Sequence, residues 1–153
     1  MPGRNDKEGD VIFIGIDPGS SGAVAAIDEN RHVVRLIKND TTERDLYAAF
    51  CDWETAELSA VIEAVHSMPK QGVASSFKFG TSYGLLRGFL IASCIPFVAV
   101  SPQRWQKRLG CLTHGDKNVS KQFSQQLFPS TKITHATADA LLLAECARQI
   151  WKD

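Results

Sequence analysis

The chain has 153 residues, enough to bury a core in one domain without disulfides or a structural metal, and its four widely spaced cysteines, Cys51, Cys94, Cys111 and Cys146, form no C-x-x-C pair that would mark a disulfide framework or a zinc site. Seventeen Lys and Arg balance seventeen Asp and Glu, which excludes binding nucleic acid by overall charge and leaves only local charge distribution to do so. The polar opening MPGRNDKEGD lacks the apolar core of a signal peptide and no later apolar run is long enough to cross a bilayer, so no membrane partner and a cytoplasmic location are expected.

Residues 1–10 read as a flexible N-terminal segment and 11–153 as a single domain. Residues 11–16 are almost all apolar, the pattern of a strand buried on both faces, and run straight into Asp17. Two short β-branched segments, 22–28 and 32–37, flank the turn-like Asp28-Glu29-Asn30-Arg31, which predicts an antiparallel meander. Thr41 or Thr42 caps the next helix, whose Leu46, Phe50 and Trp53 form one apolar stripe. Residues 59–62 make a short strand ending at Glu63, and Met68-Pro69-Lys70-Gln71-Gly72 is a loop. A long helix follows over about 75–94, with Gly80, Gly84 and Gly88 on one face. Gly in a helix costs roughly 1 kcal/mol against Ala, so three in register imply close approach by the sheet, a partner helix or DNA. Packing on the sheet is the first expectation. A strand over 96–100, a short helix from Ser101-Pro102 through Arg108, a helix from Asp116 to about Leu127 and a last helix over about 136–150 complete the order βββαβαβααα. That order is an α/β plan with a mixed sheet.

Buried strands avoid carboxylates, yet two strands deliver Asp17 and Glu63 at their C-terminal ends, and the last helix offers Asp139 in its first turn among Ala and Leu. Singly, each has a structural reading: Asp17 in a turn before Pro18, Glu63 as a surface residue at a strand end, Asp139 as a charge favoured by the helix dipole. Converging, the three repel one another unless cations neutralise them. Mg2+ suits such a site because it takes oxygen ligands and keeps waters that a substrate phosphate can replace. His135, four residues before Asp139, shares its helix face if the helix starts early enough, and reads as a fourth ligand, a proton donor or a residue that merely precedes the helix. The loop after Glu63 carries His66, Lys70 and Gln71, and Phe77, Lys78 and Tyr83 enter the glycine helix. The rings of His66, Phe77 and Tyr83 either stack on unpaired bases or belong to the core, whereas Phe79 reads as core. Arg104, Lys107, Arg108, Lys117 and Lys121 fall in one stretch whose one acid is Asp116, which is either a phosphate-binding strip or a solvated helix face.

Ile14-Gly15-Ile16-Asp17-Pro18-Gly19 followed by Ser21-Gly22-Ala23 resembles the opening motif of the RuvC-type Holliday-junction resolvases. Actin-like sugar kinases and chaperones open on a related strand and a Gly-rich turn that holds ATP phosphate, but that architecture needs two such domains and this chain has room for one. Further blocks follow in the family's order. Ile62-Glu63 with His66, Met68-Pro69, Gln71-Gly72-Val73, Phe77-Lys78-Phe79-Gly80 and Ser82-Tyr83-Gly84 resembles the second block of phage-type members. Ser101-Pro102-Gln103 with Trp105-Gln106-Lys107 resembles the third, and Leu127-Phe128-Pro129 with His135 and Ala138-Asp139-Ala140-Leu141-Leu142 the last, so the likeness spans about residues 11–147.

This resemblance implies a ribonuclease H-like fold with a five-stranded mixed sheet flanked by helices, a homodimer, and hydrolysis of phosphodiesters in four-way or branched DNA. It assigns the metal ligands to Asp17, Glu63 and Asp139, with two Mg2+ ions per site, Mn2+ as a substitute and no nucleotide cofactor. One ion activates water and the other stabilises the leaving 3′ oxygen. By position His66 falls where bacterial relatives place an aromatic that probes the junction centre, and Lys117 at a basic residue near the scissile phosphate. The remaining DNA contacts are expected from Lys70, Gln71, Phe77, Lys78, Tyr83, Arg104, Lys107 and Lys121. Bacterial members often carry a further acid or histidine three residues before the last Asp; here that position is Ala136, and the role passes to His135. A phage-encoded member acts in its host's cytoplasm. The competing readings are a ribonuclease H-like enzyme of RNA or flaps, and a protein that binds branched DNA without cutting it.

Overall fold

The computed structural model describes residues 10–53, 56–65 and 70–152; the first nine residues of the expected N-terminal segment, and His66, lie outside them. Strands β1 (Val11–Asp17), β2 (Ala23–Asp28), β3 (Val33–Lys38), β4 (Glu57–Glu63) and β5 (Phe97–Val100) form one sheet in the order β3-β2-β1-β4-β5. Tight links make β1, β2 and β3 antiparallel, while longer crossovers make β4 parallel to β1 and to β5. The expected mixed five-stranded sheet is present, with β1 at its centre.

The unbroken apolar run of β1 follows from its place between two cores. Phe13, with Ala23, Ala25, Ile27 and Val61 of the neighbouring strands, faces helix α5 (His135–Lys152). Ile12, Ile14 and Ile16, with Val24, Ala26, Ala60 and Ile62, face the opposite layer, where α1 (Glu43–Ala48) supplies Leu46 and α2 (Val73–Ala92) supplies Leu86 and Leu90. Gly15 is needed where α5 crosses β1, because a Cβ there would run into the helix backbone at Ala140 and Ala144. Ala138, Ala140, Ala144 and Ala147 keep α5 slim enough for that approach, and all are buried.

Two elements depart from the sequence pattern. The stripe Leu46, Phe50, Trp53 predicts a helix through Trp53, but α1 ends at Ala48. The Arg35 guanidinium explains the stop: its Nη1 donates to the carbonyls of Ala48, Ala49 and Cys51 at 3.2, 3.1 and 2.6 Å and the group stacks over the Trp53 ring at 3.8 Å. Arg35 thus takes the orphan carbonyls of the helix end, and Phe50 and Trp53 still reach the core from irregular backbone. The second departure concerns the glycines of α2. A Cβ at Gly80, Gly84 or Gly88 would meet nothing within 4 Å among the described residues, and all three positions are exposed. The expected packing of that face on the sheet is therefore wrong: Leu86 and Leu90 face the sheet and the glycines face away from it.

The remaining helices are α3 (Pro102–Leu109), which begins on Pro102 and ends at the left-handed Gly110, and α4 (Lys117–Leu127), capped by the Asp116 carboxylate accepting from the Asn118 amide at 2.9 Å. All four cysteines are free thiols. No helix among the described residues is long and apolar enough to cross a membrane.

Candidate active site

Asp17 closes β1 and Glu63 closes β4. These strands are parallel neighbours with Ile16 opposite Ile62, so the two acids emerge side by side at the same end of the sheet. Asp139 reaches that end from α5. The helix begins at His135, which places His135 and Asp139 one turn apart on a common face. Lys117 opens α4 across from them. Asp17, Asp139, His135 and Lys117 share the walls of one cleft of about 530 Å3 with Ser20, Ser21, Lys38, Asp40, Ser120 and Ala136.

The electrostatics record this convergence. Burial first, then the charges of Glu63 and Asp139, push the Asp17 carboxyl well above the ordinary range, against the pull of Lys117. Glu63 is raised to about 6 by burial, an effect opposed by a hydrogen bond from Trp105 and reinforced by Asp139. Asp139 is raised by burial and held back by Ser120, Lys117 and His135. Its Oδ1 is buried with no hydrogen-bond partner among the described residues. Three carboxylates raised by burial, two of them further raised by a neighbouring acid and one with an orphaned oxygen, have the donor chemistry of a divalent-cation site. Among the described residues, however, no group of three or more His, Cys, Asp and Glu side chains is arranged to cage an ion. The acids are close enough to repel and have not closed on a common point.

The turn that carries Asp17 out of β1 is braced by a residue the sequence does not single out. Asn39 Nδ2 donates to the carbonyls of Asp17 and Gly19, both at 2.8 Å. The Gly19 amide donates to Ser82 Oγ at 3.1 Å, and Gly19 itself has φ 99°, where a Cβ would run into the Phe79 ring. Gly22 must lack a Cβ because Asp17's carbonyl occupies that space. Lys38, at the end of β3, and the buried Ser120 of α4 are further cleft residues that reasoning on spacing missed. Trp105 is the fourth: its indole Nε1 donates to Glu63 Oε2 at 2.8 Å. Polar residues scattered over the sequence give no signal for such contacts before the fold brings them together.

The expected DNA-contacting residues are dispersed. Phe77 is 75% exposed, and with Lys78 it lines a cavity between α1 and α2 that shares Ser20 with the acidic cleft. Tyr83 packs against the core beneath α2, with Arg87 over its ring at 5.5 Å. Lys70 is exposed ahead of α2, and Gln71 hydrogen-bonds Ser75 at 3.4 Å. Arg104 and Lys107 are exposed on α3, while Lys121 is half-buried on α4 one turn beyond Lys117.

No family model matches the sequence, and no curated protein matches it. Solved structures do match in shape. The chain is similar to Thermus thermophilus RuvC in complex with a Holliday-junction substrate, with a TM-score of 0.64 at 14% identity over 93% of this chain and 96% of that one. It is also similar to a second Thermus thermophilus RuvC structure, with a TM-score of 0.58 at 17% identity over 92% and 96% of the two chains. The order β3-β2-β1-β4-β5, antiparallel on one side of β1 and parallel on the other, with Asp17 and Glu63 at adjacent strand ends under α5, is thus the ribonuclease H-like fold of RuvC resolvases.

Proposed function

We propose that this chain is a metal-dependent endonuclease that cuts branched DNA, with the four-way junction as its substrate. The observation that supports this most is the convergence of Asp17, Glu63 and the partnerless Asp139 oxygen at one sheet end. Its context is a fold shared with RuvC bound to a Holliday junction. The donor set fits Mg2+, with Mn2+ as a substitute, and two such ions bound there would supply an activated water and charge neutralisation at the leaving 3′ oxygen. The side chains do the rest. Lys117 offsets the charge of Asp17 and Asp139 and holds a substrate phosphate at the cleft, which Lys38 also lines. His135, exposed on the cleft wall beside Asp139, ligates or exchanges a proton there. Arg104, Lys107 and Lys121 meet phosphates along the arms.

A four-way junction has two-fold symmetry, and two symmetric cuts require two copies of the cleft. The exposed face of α2 offers the seam. Val73, Phe77, Gly80, Gly84, Gly88 and Ile91 are all exposed and recur every three or four residues, forming one stripe of apolar and side-chain-free positions that nothing among the described residues covers.

Cleavage of matched synthetic substrates tests the reading. Symmetric nicks in a four-way junction, dependent on Mg2+, are expected. Asp139→Asn is expected to abolish cleavage while leaving junction binding in Ca2+ intact, since it removes one charge and little surface. Cutting of RNA or flaps with an inert junction would replace this reading by the RNA- or flap-processing one, and junction binding without cleavage by the wild type would make the protein a binder only.

A further inference from the structure

Trp105 lies on α3, a helix whose remaining surface is strongly polar, yet its side chain is fully buried in the core between the sheet and α5. From there Nε1 donates to Glu63 Oε2 at 2.8 Å. The residues are 42 apart in sequence, so only the fold makes the pair. An indole has a single donor and no acceptor, which gives the bond one polarity: the ring gives and the carboxylate receives. The ring is also held in place. The Trp105 amide bonds the Ser101 carbonyl at 3.1 Å in the first turn of α3, and the side chain belongs to the buried apolar core that also holds Cys111 and Val61. A rotamer fixed by the core thus fixes one oxygen of an otherwise flexible carboxylate.

Packing alone does not call for this residue. A Phe or Leu would fill apolar space without a buried N–H that needs an acceptor, whereas Trp is suited to a core position where a polar atom must be served. Here the atom served is a carboxylate at the end of β4, beside Asp17 and within electrostatic reach of Asp139. The geometry points to Trp105 as the positioning residue of Glu63: its indole N–H holds Oε2 and keeps the carboxylate turned so that Oε1 is left for a divalent cation. This rests on the reading of Glu63 as a metal ligand. Partners of this kind, one bond removed from the ion, orient the ligand and commonly change metal affinity by about 10- to 100-fold when lost.

The test uses the full chain carrying Trp105→Phe or, at the same position, benzothienylalanine, which keeps the bicyclic shape and replaces N–H by sulfur. Mn2+ binding to the chelator-treated protein is measured from the electron paramagnetic resonance signal of free Mn2+, beside thermal unfolding in chelator and cleavage over graded Mg2+. For the isostere, about 10- to 100-fold weaker Mn2+ binding is expected, with an unfolding temperature in chelator close to that of the wild type and cleavage restored at high Mg2+. If the isostere binds Mn2+ as the wild type does, Trp105 is a packing residue and the proposal falls. A Trp105→Phe variant that fails to fold leaves the isostere to decide. Wild-type Mn2+ binding that Glu63→Gln does not weaken would instead overturn the assignment of Glu63 as a ligand, and this role with it.

Discussion

Asp17, Glu63 and Asp139 are chemically ordinary carboxylates, and their surroundings give them their behaviour. All three sit in partly buried positions that disfavour charge, and two of them are raised further by a neighbouring acid. Glu63 shows the cost most clearly, because it moves from 4.5 to about 6. Between those values the folded protein keeps a proton that the unfolded chain has lost. Its contribution to stability therefore falls as pH rises from about 4.5 to about 6 and stays unfavourable above that range. A shift of this size corresponds to about 2 kcal/mol. Glu63→Gln removes the charge and keeps an oxygen for the Trp105 indole. In chelator at about pH 8 the variant is expected to unfold in urea with up to about 2 kcal/mol more stability than the wild type, the gain vanishing below about pH 4.5. On the proposed reading of Glu63 as a metal ligand, cleavage is expected to be lost in the same variant. A variant less stable than the wild type at the higher pH would show that burial and the nearby Asp139 do not destabilise the charged form of Glu63. Under the proposed function, this stability is given up in the metal-free state for a set of donors that a cation would gather.

At the scale of elements, a second ionic group does the opposite. Glu145 of α5 is 1% exposed and receives Arg31 from the β2–β3 hairpin through two hydrogen bonds at 3.0 Å, and Arg148 from its own helix at 2.8 and 2.9 Å. Burial alone would raise this carboxyl, but the two guanidinium groups hold it down at about 2. Its contribution is in full force above about pH 4.5 and drains away as pH falls toward 2. Glu145→Gln is expected to cost about 3 kcal/mol at neutral pH, the low end for breaking a buried pair because the Arg31 side chain stays 41% exposed. Urea unfolding across pH checks it, since the gap between the two proteins closes on acidification if the clamp is real. Contacts of this kind mark the limit of reading a sequence. Asp17 and Glu63 were legible because an apolar run that ends on a carboxylate is a local pattern, and Asp139 because it interrupts an alanine- and leucine-rich helix. The glycine stripe of α2 was legible as a stripe but not in direction: Phe77, Leu85, Phe89 and Ile91 surround the helix with apolar groups, so periodicity did not say which face meets the sheet. Gly15 under Ala140, Asn39 across from Asp17, Arg35 at the end of α1 and Trp105 on Glu63 are long-range pairings whose partners no local spacing can name.

Over the whole molecule, zero net charge conceals an uneven distribution: Lys117 and Lys38 line the acidic cleft, and Arg104 and Lys107 are exposed on the adjoining helix. Junction binding is therefore expected to weaken steeply as salt rises, as counterions released by each phosphate contact dictate, and a flat salt response in fluorescence anisotropy would remove the basic strip from the interface. Assembly then decides whether cutting is symmetric. Because a Cβ at Gly84 meets nothing within 4 Å among the described residues, Gly84→Glu is compatible with the folded single chain and improves on glycine in a helix by up to about 1 kcal/mol. In a two-fold pair the same position faces its own copy or close neighbours across the seam, where two buried like charges are costly. Gly84→Glu is thus expected to yield a well-folded monomer by sedimentation equilibrium, and to turn paired nicks into slow, independent single nicks on a four-way junction. Gly84→Ala, which adds one small methyl group, is expected to keep both assembly and paired cutting. A Gly84→Glu protein that remains a dimer would move the seam away from α2, and the stripe of Val73, Phe77 and Ile91 would then need a different partner.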